Sequence, residues 1–282
     1  MSNPVRQHWV PRAYLRAFCA QPVDREQIYA LDLKSGNEFL TSIDRVAVKK
    51  HFYTLGLESG SPSFAVEEAF GEIEAAAAPI LSVIRRDEAL PTGERLQVLA
   101  RFVGIQHMRS RQGLQAIHGW RDDVGANSDL YSVDEYHKVE LERSSHEEIR
   151  ELFAKSAVVV GARIGDRMLN FTWRLVRAEQ GYFFTSENPV FCFHPSEERW
   201  GLETPGTHTL FPLSPKLLLH ISPQPVLAGT GTVDAPANAV RGINGLILLG
   251  AEQFLYSDRP FDEVKGLLQE RSAGSQRAFG PA

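Results

Sequence analysis

The sequence predicts an α+β fold in which a helical N-terminal half, residues 1–165, packs on a mostly antiparallel sheet from the C-terminal half, residues 166–282. Two observations predict this arrangement. Apolar residues recur three and four positions apart along the first half, whereas short apolar runs separated by turn residues fill the second half. Helices and strands do not alternate regularly along the chain, which argues against a parallel β-α-β fold. For a chain of this length we expect one domain, 1–282, whose two parts pack intimately.

The first half opens with a short amphipathic helix. Pro11 suits the first turn of a helix, and an apolar stripe follows it. Residues 27–32 and 38–42 alternate like strands on either side of a turn and therefore predict a hairpin. Three long helices are predicted, from Phe64 to about Arg86, from about Glu94 to Gly119 and from about Ser145 to Gly161.

The second half contains two hairpin patterns. The stronger pattern joins residues 169–177 to residues 182–185 through a glycine turn. The other joins residues 209–213 to residues 217–222 through Ser214-Pro215-Lys216. The remaining predicted elements are a helix over 235–249, a strand over 253–257 and a final helix from Phe261 to about Arg271.

The composition is that of an ordinary globular protein, with 43% hydrophobic and 23% charged residues. A net charge of −5 argues against electrostatic binding of nucleic acid by the protein surface as a whole, but it permits a local basic groove. No apolar run approaches the roughly 18 residues of a membrane span, so we expect a cytoplasmic protein without membrane contact. Cys19 and Cys192 lack the spacing of a zinc or disulfide site, so each is predicted to be a small buried hydrophobe.

The opening helix carries a candidate anion site. His8 lies just before the helix and Arg12 lies one turn later. Helix amides, an imidazole and a guanidinium all suit phosphate or carboxylate, and His8 could act as a general base because imidazole titrates near neutrality. The alternative is that His8 caps or packs the helix while Arg12 pairs with an acid elsewhere.

Two polar residues, Gln106 and Arg109, fall on the apolar face of a predicted helix. Burying an amide or a guanidinium without a partner costs roughly 1–3 kcal/mol or more, so both side chains require partners. Glu67 and Glu74, seven residues apart, share one face of the preceding helix. They could hold a divalent metal or a substrate cation, but the pattern favours ion pairs with buried arginines.

The loop Thr185-Ser186-Glu187-Asn188-Pro189 follows a predicted strand, a usual position for functional groups. Glu187 could bind a metal or act as a general base, and Ser186 or Asn188 could orient a substrate. The alternative is a structural turn, because the residue before a proline is extended and Ser and Asn bond to local backbone. The chain lacks a zincin motif and a glycine-rich phosphate loop.

Four short motifs lie along the chain, each occurring once. They are Gln7-His8-x-Val10-Pro11-Arg12-x-Tyr14-Leu15-Arg16-x-Phe18, Gln106-x-x-Arg109, Phe184-Thr185-Ser186-Glu187-Asn188-Pro189-Val190 and Pro212-Leu213-Ser214-Pro215-Lys216. Together they resemble the bacterial family catalogued as domain of unknown function 4238 over about residues 6–257, with Asn244 and Tyr256 matching its late signature. The resemblance implies one constellation that contains His8, Arg12, Gln106, Arg109, Ser186 and Asn188. Where the family usually has Asp in the third motif, this chain has Glu187.

Two functions follow from these residues. In the first, the protein is a hydrolase acting on a phosphodiester, nucleotide or nucleic acid. His8 is the general base, Glu187 orients it or holds a metal, and Arg12 with Arg109 stabilises the anionic transition state. The residues predicted to contact the substrate are Gln7, Arg12, Arg16, Gln106, Ser186, Asn188 and Lys216. In the second, the protein is a non-enzymatic module that binds an anionic ligand or a partner, and the same residues form a buried structural polar network. The sequence leaves metal dependence and oligomeric state open.

Overall fold

The computed structural model of the protein describes residues 6–55, 63–110, 146–196, 201–223 and 231–262, together with Val264 and Leu268. Within these ranges the chain forms eleven strands and five α-helices. The strands are β1 (Arg6–His8), β2 (Gln27–Asp32), β3 (Glu38–Ser42), β4 (Val48–Lys50), β5 (Thr172–Ala178), β6 (Thr185–Ser186), β7 (Phe191–Phe193), β8 (His208–Ser214), β9 (Leu217–Ser222), β10 (Thr232–Ala235) and β11 (Phe254–Ser257). The helices are α1 (Arg12–Leu15), α2 (Ala65–Asp87), α3 (Gly93–Met108), α4 (His146–Met168) and α5 (Ala237–Gly250).

The strands form three sheets, and the α+β class is confirmed. A five-stranded sheet has the order β10-β5-β9-β8-β7 and is antiparallel except for the parallel pair of β10 and β5. A four-stranded antiparallel sheet has the order β3-β2-β11-β6, and β1 pairs with β4 alone. The predicted hairpins of β2 with β3 and of β8 with β9 are both present.

The prediction that the N-terminal half is helical is wrong, because four strands lie within residues 6–50. Two of them, β2 and β3, join β11 and β6 from the other end of the chain in one sheet. A two-stranded hairpin is marginally stable in water by itself, so β2 is stabilised by a third strand on its other edge. The distant strand β11 supplies that edge and lies beside the buried residues Ala30 and Leu31.

The strongest predicted hairpin, residues 169–177 with 182–185, is also wrong. Strand β5 pairs instead with β9 and β10, and the two-residue strand β6 pairs with β11. Tyr182, Phe183 and Phe184 are buried in succession, without the alternation that a strand with one solvated face requires. The Phe183 amide donates to the Pro215 carbonyl at 2.8 Å. The turn between β8 and β9 therefore holds this segment in place.

The five-stranded sheet separates two apolar clusters. One face packs with α2, α3 and α4 through residues such as Trp173, Phe211 and Ile221. The other face packs with α5 through residues such as Leu210 and Leu218. None of the described helices combines the length and apolar character needed to cross a membrane. The predicted end of the second long helix up to Gly119 and most of the final helix lie outside the described residues.

Helices α3 and α4 approach closely because glycines line their contact. A Cβ atom at Gly104 would meet the carbonyl oxygen of Gly161 and the backbone of Gly165. At Gly165 a Cβ atom would meet the backbone of Ala100 and Arg101. The backbones of the two helices therefore touch with no side chain between them, which places the last turn of α3 firmly against the rest of the helical layer.

We expect Gly104→Ala to lower the free energy of unfolding by about 1–3 kcal/mol. The added methyl group would meet backbone atoms of α4, which cannot rotate away as a side chain can. Urea denaturation measures the change. The matched control is Gly71→Ala on the exposed side of α2, where no atom lies within 4 Å of the added Cβ. The control should be neutral or stabilising by up to about 1 kcal/mol. A Gly104→Ala protein as stable as the parent would contradict the close approach of the helices.

Candidate functional site

The first motif begins in β1, where Gln7 is fully buried. Its Oε1 atom accepts a hydrogen bond from the Tyr53 amide at 2.5 Å, and its Nε2 atom donates to Thr54 Oγ1 at 2.9 Å. Both contacts fix the segment after β4, which pairs with β1. Both polar atoms of the Gln7 side chain therefore make structural hydrogen bonds.

The second motif clamps the main chain just after Gln7. Gln106 Nε2 donates to the Trp9 carbonyl at 2.9 Å, and Arg109 Nη2 donates to the His8 carbonyl at 2.6 Å. Arg109 Nη1 pairs with Glu74 Oε1 at 2.6 Å, which confirms the predicted ion pair between α2 and a buried arginine. The Arg109 guanidinium also lies over the Phe70 ring, 4.4 Å from its centroid. These contacts supply partners for Gln106 Nε2 and for both terminal nitrogens of Arg109, whereas Gln106 Oε1 and Arg109 Nε have no hydrogen-bond partner among the described residues.

Arg12 and Arg16 lie on the partly exposed side of the opening helix and share the acid Glu26. Arg12 Nη2 contacts Glu26 Oε2 at 2.8 Å and Arg16 Nε contacts Glu26 Oε1 at 2.6 Å. Arg12 Nε also lies 2.7 Å from Asp44 Oδ1. Both guanidinium groups are thus largely neutralised, as the alternative interpretation of Arg12 predicted.

Glu187 in the third motif is 1% exposed and accepts three backbone hydrogen bonds. Its Oε1 atom accepts from the amides of Glu252 and Gln253 at 2.7 and 2.6 Å, and its Oε2 atom accepts from the Phe254 amide at 2.9 Å. Burial raises the pKa of Glu187, and the backbone hydrogen bonds oppose that rise. The carboxylate therefore anchors the connection between α5 and β11.

The neighbours of Glu187 form the structural turn that was the alternative interpretation of this loop. Ser186 Oγ lies 3.1 Å from both the amide and the carbonyl of Asn188. Asn188 Nδ2 donates to the Gly250 carbonyl at 3.0 Å. Lys216 in the fourth motif lies at the surface, where its Nζ donates to the Gly181 carbonyl at 2.8 Å. Ser186 and Asn188 thus lie in a turn at the end of α5, and Lys216 makes a separate surface contact. None of these hydrogen bonds involves His8, Arg12 or Arg109.

Three polar atoms around the Arg109–Glu74 pair are buried and have no hydrogen-bond partner among the described residues. They are His8 Nε2, Glu67 Oε2 and Arg109 Nε. Burial, assisted by the charge of Arg12, lowers the pKa of His8, so its imidazole is neutral at neutral pH. Burial raises the pKa of Glu67 to about 7. In the described ranges no three His, Cys, Asp or Glu side chains converge in a way that could hold a metal ion.

The structure also brings together two residues that the sequence did not single out, His107 and Cys192. Cys192 Sγ lies 3.8 Å from His107 Nδ1 and 3.3 Å from Thr209 Oγ1. Cys19 is buried as predicted, but Cys192 is partly exposed, so its assignment as a buried hydrophobe is wrong. Local spacing could not reveal a pair 85 positions apart. The available signal was position, since His107 lies inside the second motif and Cys192 follows the third.

We expect Glu187→Gln to lower the free energy of unfolding by about 1–3 kcal/mol, because an amide nitrogen cannot accept the hydrogen bonds that the second carboxylate oxygen accepts. Thermal and urea denaturation measure the loss. The control is Glu72→Gln on the exposed side of α2, which should change stability by no more than about 0.5 kcal/mol. Equal stability of the two variants would contradict an anchoring role for Glu187.

Glu67 should give the protein a distinctive pH dependence. Its pKa is about 7 in the native state against 4.5 for the free group, so the native state binds more protons between these pH values. The free energy of unfolding contributed by Glu67 should therefore fall as the pH rises from about 4.5 to about 7, by ~1.4 kcal/mol per unit of pKa difference. Glu67→Gln should be more stable than the parent above pH 7 and similar to it near pH 4.5. Urea denaturation across this range tests the effect, and an unchanged pH profile in Glu67→Gln would contradict it.

Comparison with known proteins places this set of motifs in one family. The family described as Protein of unknown function (DUF4238) matches residues 6–260, a range that contains every motif residue considered above. No curated protein and no solved structure gives a significant match. Since the match covers most of the 282 residues, the chain belongs to the DUF4238 family.

Proposed function

We propose that the protein is a binding module whose motif residues form a structural polar network and whose ligand is a small anion held beside His8 and Arg109. The observation that carries this proposal is the set of three buried, unpartnered polar atoms around the Arg109–Glu74 pair. An unsatisfied buried polar group costs about 1–3 kcal/mol. A ligand that satisfies several of these groups at once would therefore bind with a sizeable free energy.

The chemistry of the three groups favours a small oxyanion that also carries a hydroxyl. The Arg109 Nε–H can donate to an anionic oxygen. The other ring nitrogen of His8 donates to the Ile43 backbone, so neutral His8 accepts a hydrogen bond through Nε2. Glu67, with a pKa of about 7, is partly protonated at neutral pH and can act as donor or acceptor. The carboxylates of Glu74 and Asp44 limit the positive charge of the site, which favours a ligand of low charge over a polyanion.

A second candidate function is hydrolysis of a phosphodiester, nucleotide or nucleic acid at the same place. One observation favours it, namely that His8 has a lowered pKa and an unpartnered Nε2, as a general base requires. Arg109 would stabilise the developing negative charge. Glu187 contributes no support, because its two oxygens are occupied by backbone amides around Gln253.

The proposal is tested by thermal denaturation of the parent and of His8→Asn with inorganic phosphate, glycerol phosphate, a mononucleotide, short RNA and DNA, and divalent metals. We expect a small phosphate compound to raise the melting temperature of the parent by several degrees, since a ligand at 100 times its Kd stabilises by about 2.7 kcal/mol. The shift should vanish in His8→Asn. The matched control is His194→Asn in the sheet-rich part of the chain, which should keep the full shift.

Two further results have defined meanings. If none of the compounds stabilises the parent, or if His8→Asn keeps the shift, the binding site at His8 is rejected. If the parent hydrolyses bis(p-nitrophenyl) phosphate and His8→Asn does not while remaining folded, the second candidate replaces the first.

A further inference from the structure

The last turn of α3 and the strand β7 bring a thiol and an imidazole together. Cys192 stands opposite Thr209 in the antiparallel register of β7 and β8. Its Sγ atom lies 3.3 Å from Thr209 Oγ1 and 3.8 Å from His107 Nδ1. Both Cys192 and His107 are partly exposed. The thiol and the imidazole are therefore held close together by neighbouring residues.

The second motif holds the imidazole in place from the opposite side of α3. Gln106 and Arg109 flank His107 in sequence and are bonded to the carbonyls of Trp9 and His8. Ser110 Oγ also donates to the His107 carbonyl at 3.1 Å. These hydrogen bonds restrain the helix turn that carries His107.

The third motif holds the thiol in the same manner. Asn188 lies three residues before β7 begins, and its side chain donates a hydrogen bond to the Gly250 carbonyl. A Cβ atom at Gly250 would collide with the ring of Phe191, so α5 packs directly on the residue that precedes Cys192. The second and third motifs thus each hold one member of the pair, with Cys192 Sγ 3.8 Å from His107 Nδ1.

We propose that Cys192 and His107 form a nucleophile and base pair that accepts an acyl group from an ester or thioester. Neither Cys192 nor His107 belongs to the proposed anion site at His8. The pair adds a covalent reaction to the protein, and it stands or falls independently of the proposed binding function.

The electrostatics of the pair agree with its geometry. Burial raises the pKa of Cys192, but the charge of His107 and hydrogen bonds from His107 and Thr209 outweigh burial and leave the pKa below its ordinary value. The negative sulfur in turn raises the pKa of His107, with help from a hydrogen bond to the Val190 backbone. Cys19 is the opposite case, because burial raises its pKa to about 11.

The reaction is balanced with these two residues. The Cys192 thiolate attacks the carbonyl carbon of an ester R–CO–OR′, forming a C–S bond. The C–O bond then breaks, and the leaving oxygen takes the proton held by the His107 imidazolium, so that R′OH departs and a thioester remains on Cys192. Neutral His107 next removes a proton from water, the resulting hydroxide attacks the thioester carbonyl, and the acid RCOOH leaves as the thiolate and the imidazolium are restored.

An acyl group suits this site better than a phosphoryl group. The groups that perturb the ionisation of Cys192 among the described residues are His107 and Thr209, and no guanidinium is one of them. Transfer of a phosphoryl group develops charge on several oxygens and relies on cationic groups to stabilise it. Attack on a neutral carbonyl places charge on one oxygen, for which hydroxyl and backbone donors suffice.

The test is the rate of alkylation of each cysteine by iodoacetamide in the full chain between pH 5 and 9, measured by mass spectrometry. Cys192 should react with a pH midpoint below the ordinary thiol value of about 8.5 and below its own midpoint in the urea-unfolded chain. Buried Cys19 is the internal control and should be protected. With p-nitrophenyl acetate we expect a burst of nitrophenol and an acetyl group on Cys192.

Variants separate the roles of the neighbours. His107→Asn should raise the midpoint of Cys192 to the ordinary value and abolish the burst, and Thr209→Val should raise it less, while Thr209→Ser should retain the parent profile. A parent midpoint at or above about 8.5 overturns the proposal without any variant. A folded His107→Asn protein with an unchanged midpoint also overturns it. Fast alkylation of Cys192 without acetylation rejects the acyl group as the substrate class.

Discussion

The structure depends on a clamp in which two side chains of one helix turn hold two consecutive carbonyls of the opening segment. Gln106 bonds to the Trp9 carbonyl and Arg109 bonds to the His8 carbonyl. The buried Arg109 charge is compensated by Glu74 on α2, so β1, α2 and α3 are joined at one point. Removing Glu74 would leave the buried Arg109 charge without its carboxylate partner, which destabilises the fold.

A second tie joins the opening helix to both larger sheets. The Tyr14 hydroxyl is buried, lies 2.7 Å from Thr185 Oγ1 and donates to the Pro212 carbonyl at 2.7 Å. Thr185 belongs to the four-stranded sheet and Pro212 to the five-stranded sheet. Glu187 likewise anchors the start of β11. Motif residues that are far apart in the sequence are therefore joined by hydrogen bonds in the fold.

The last turn of α3 carries residues of both proposed sites. Arg109 bonds to the opening segment, where His8 and Glu67 have buried polar atoms without hydrogen-bond partners among the described residues. His107 lies against the five-stranded sheet, close to Cys192, which also contacts Thr209. Because both sites depend on the position of this one turn, the glycine contact of α3 with α4 supports both of them.

The sequence by itself determined the features that depend on local pattern. Period and turn chemistry predicted α2, α5 and the hairpin of β8 with β9, and the cost of burying polar groups predicted partners for Gln106 and an acid for Arg109. Tertiary structure alone decided which strands pair over long distances, and it placed β2 beside β11 and β5 beside β9. It also decided that Glu187 meets backbone amides. The reason is physical, since strand pairing and contacts between distant side chains are selected by the packing of the whole chain, and neighbouring residues carry no record of them.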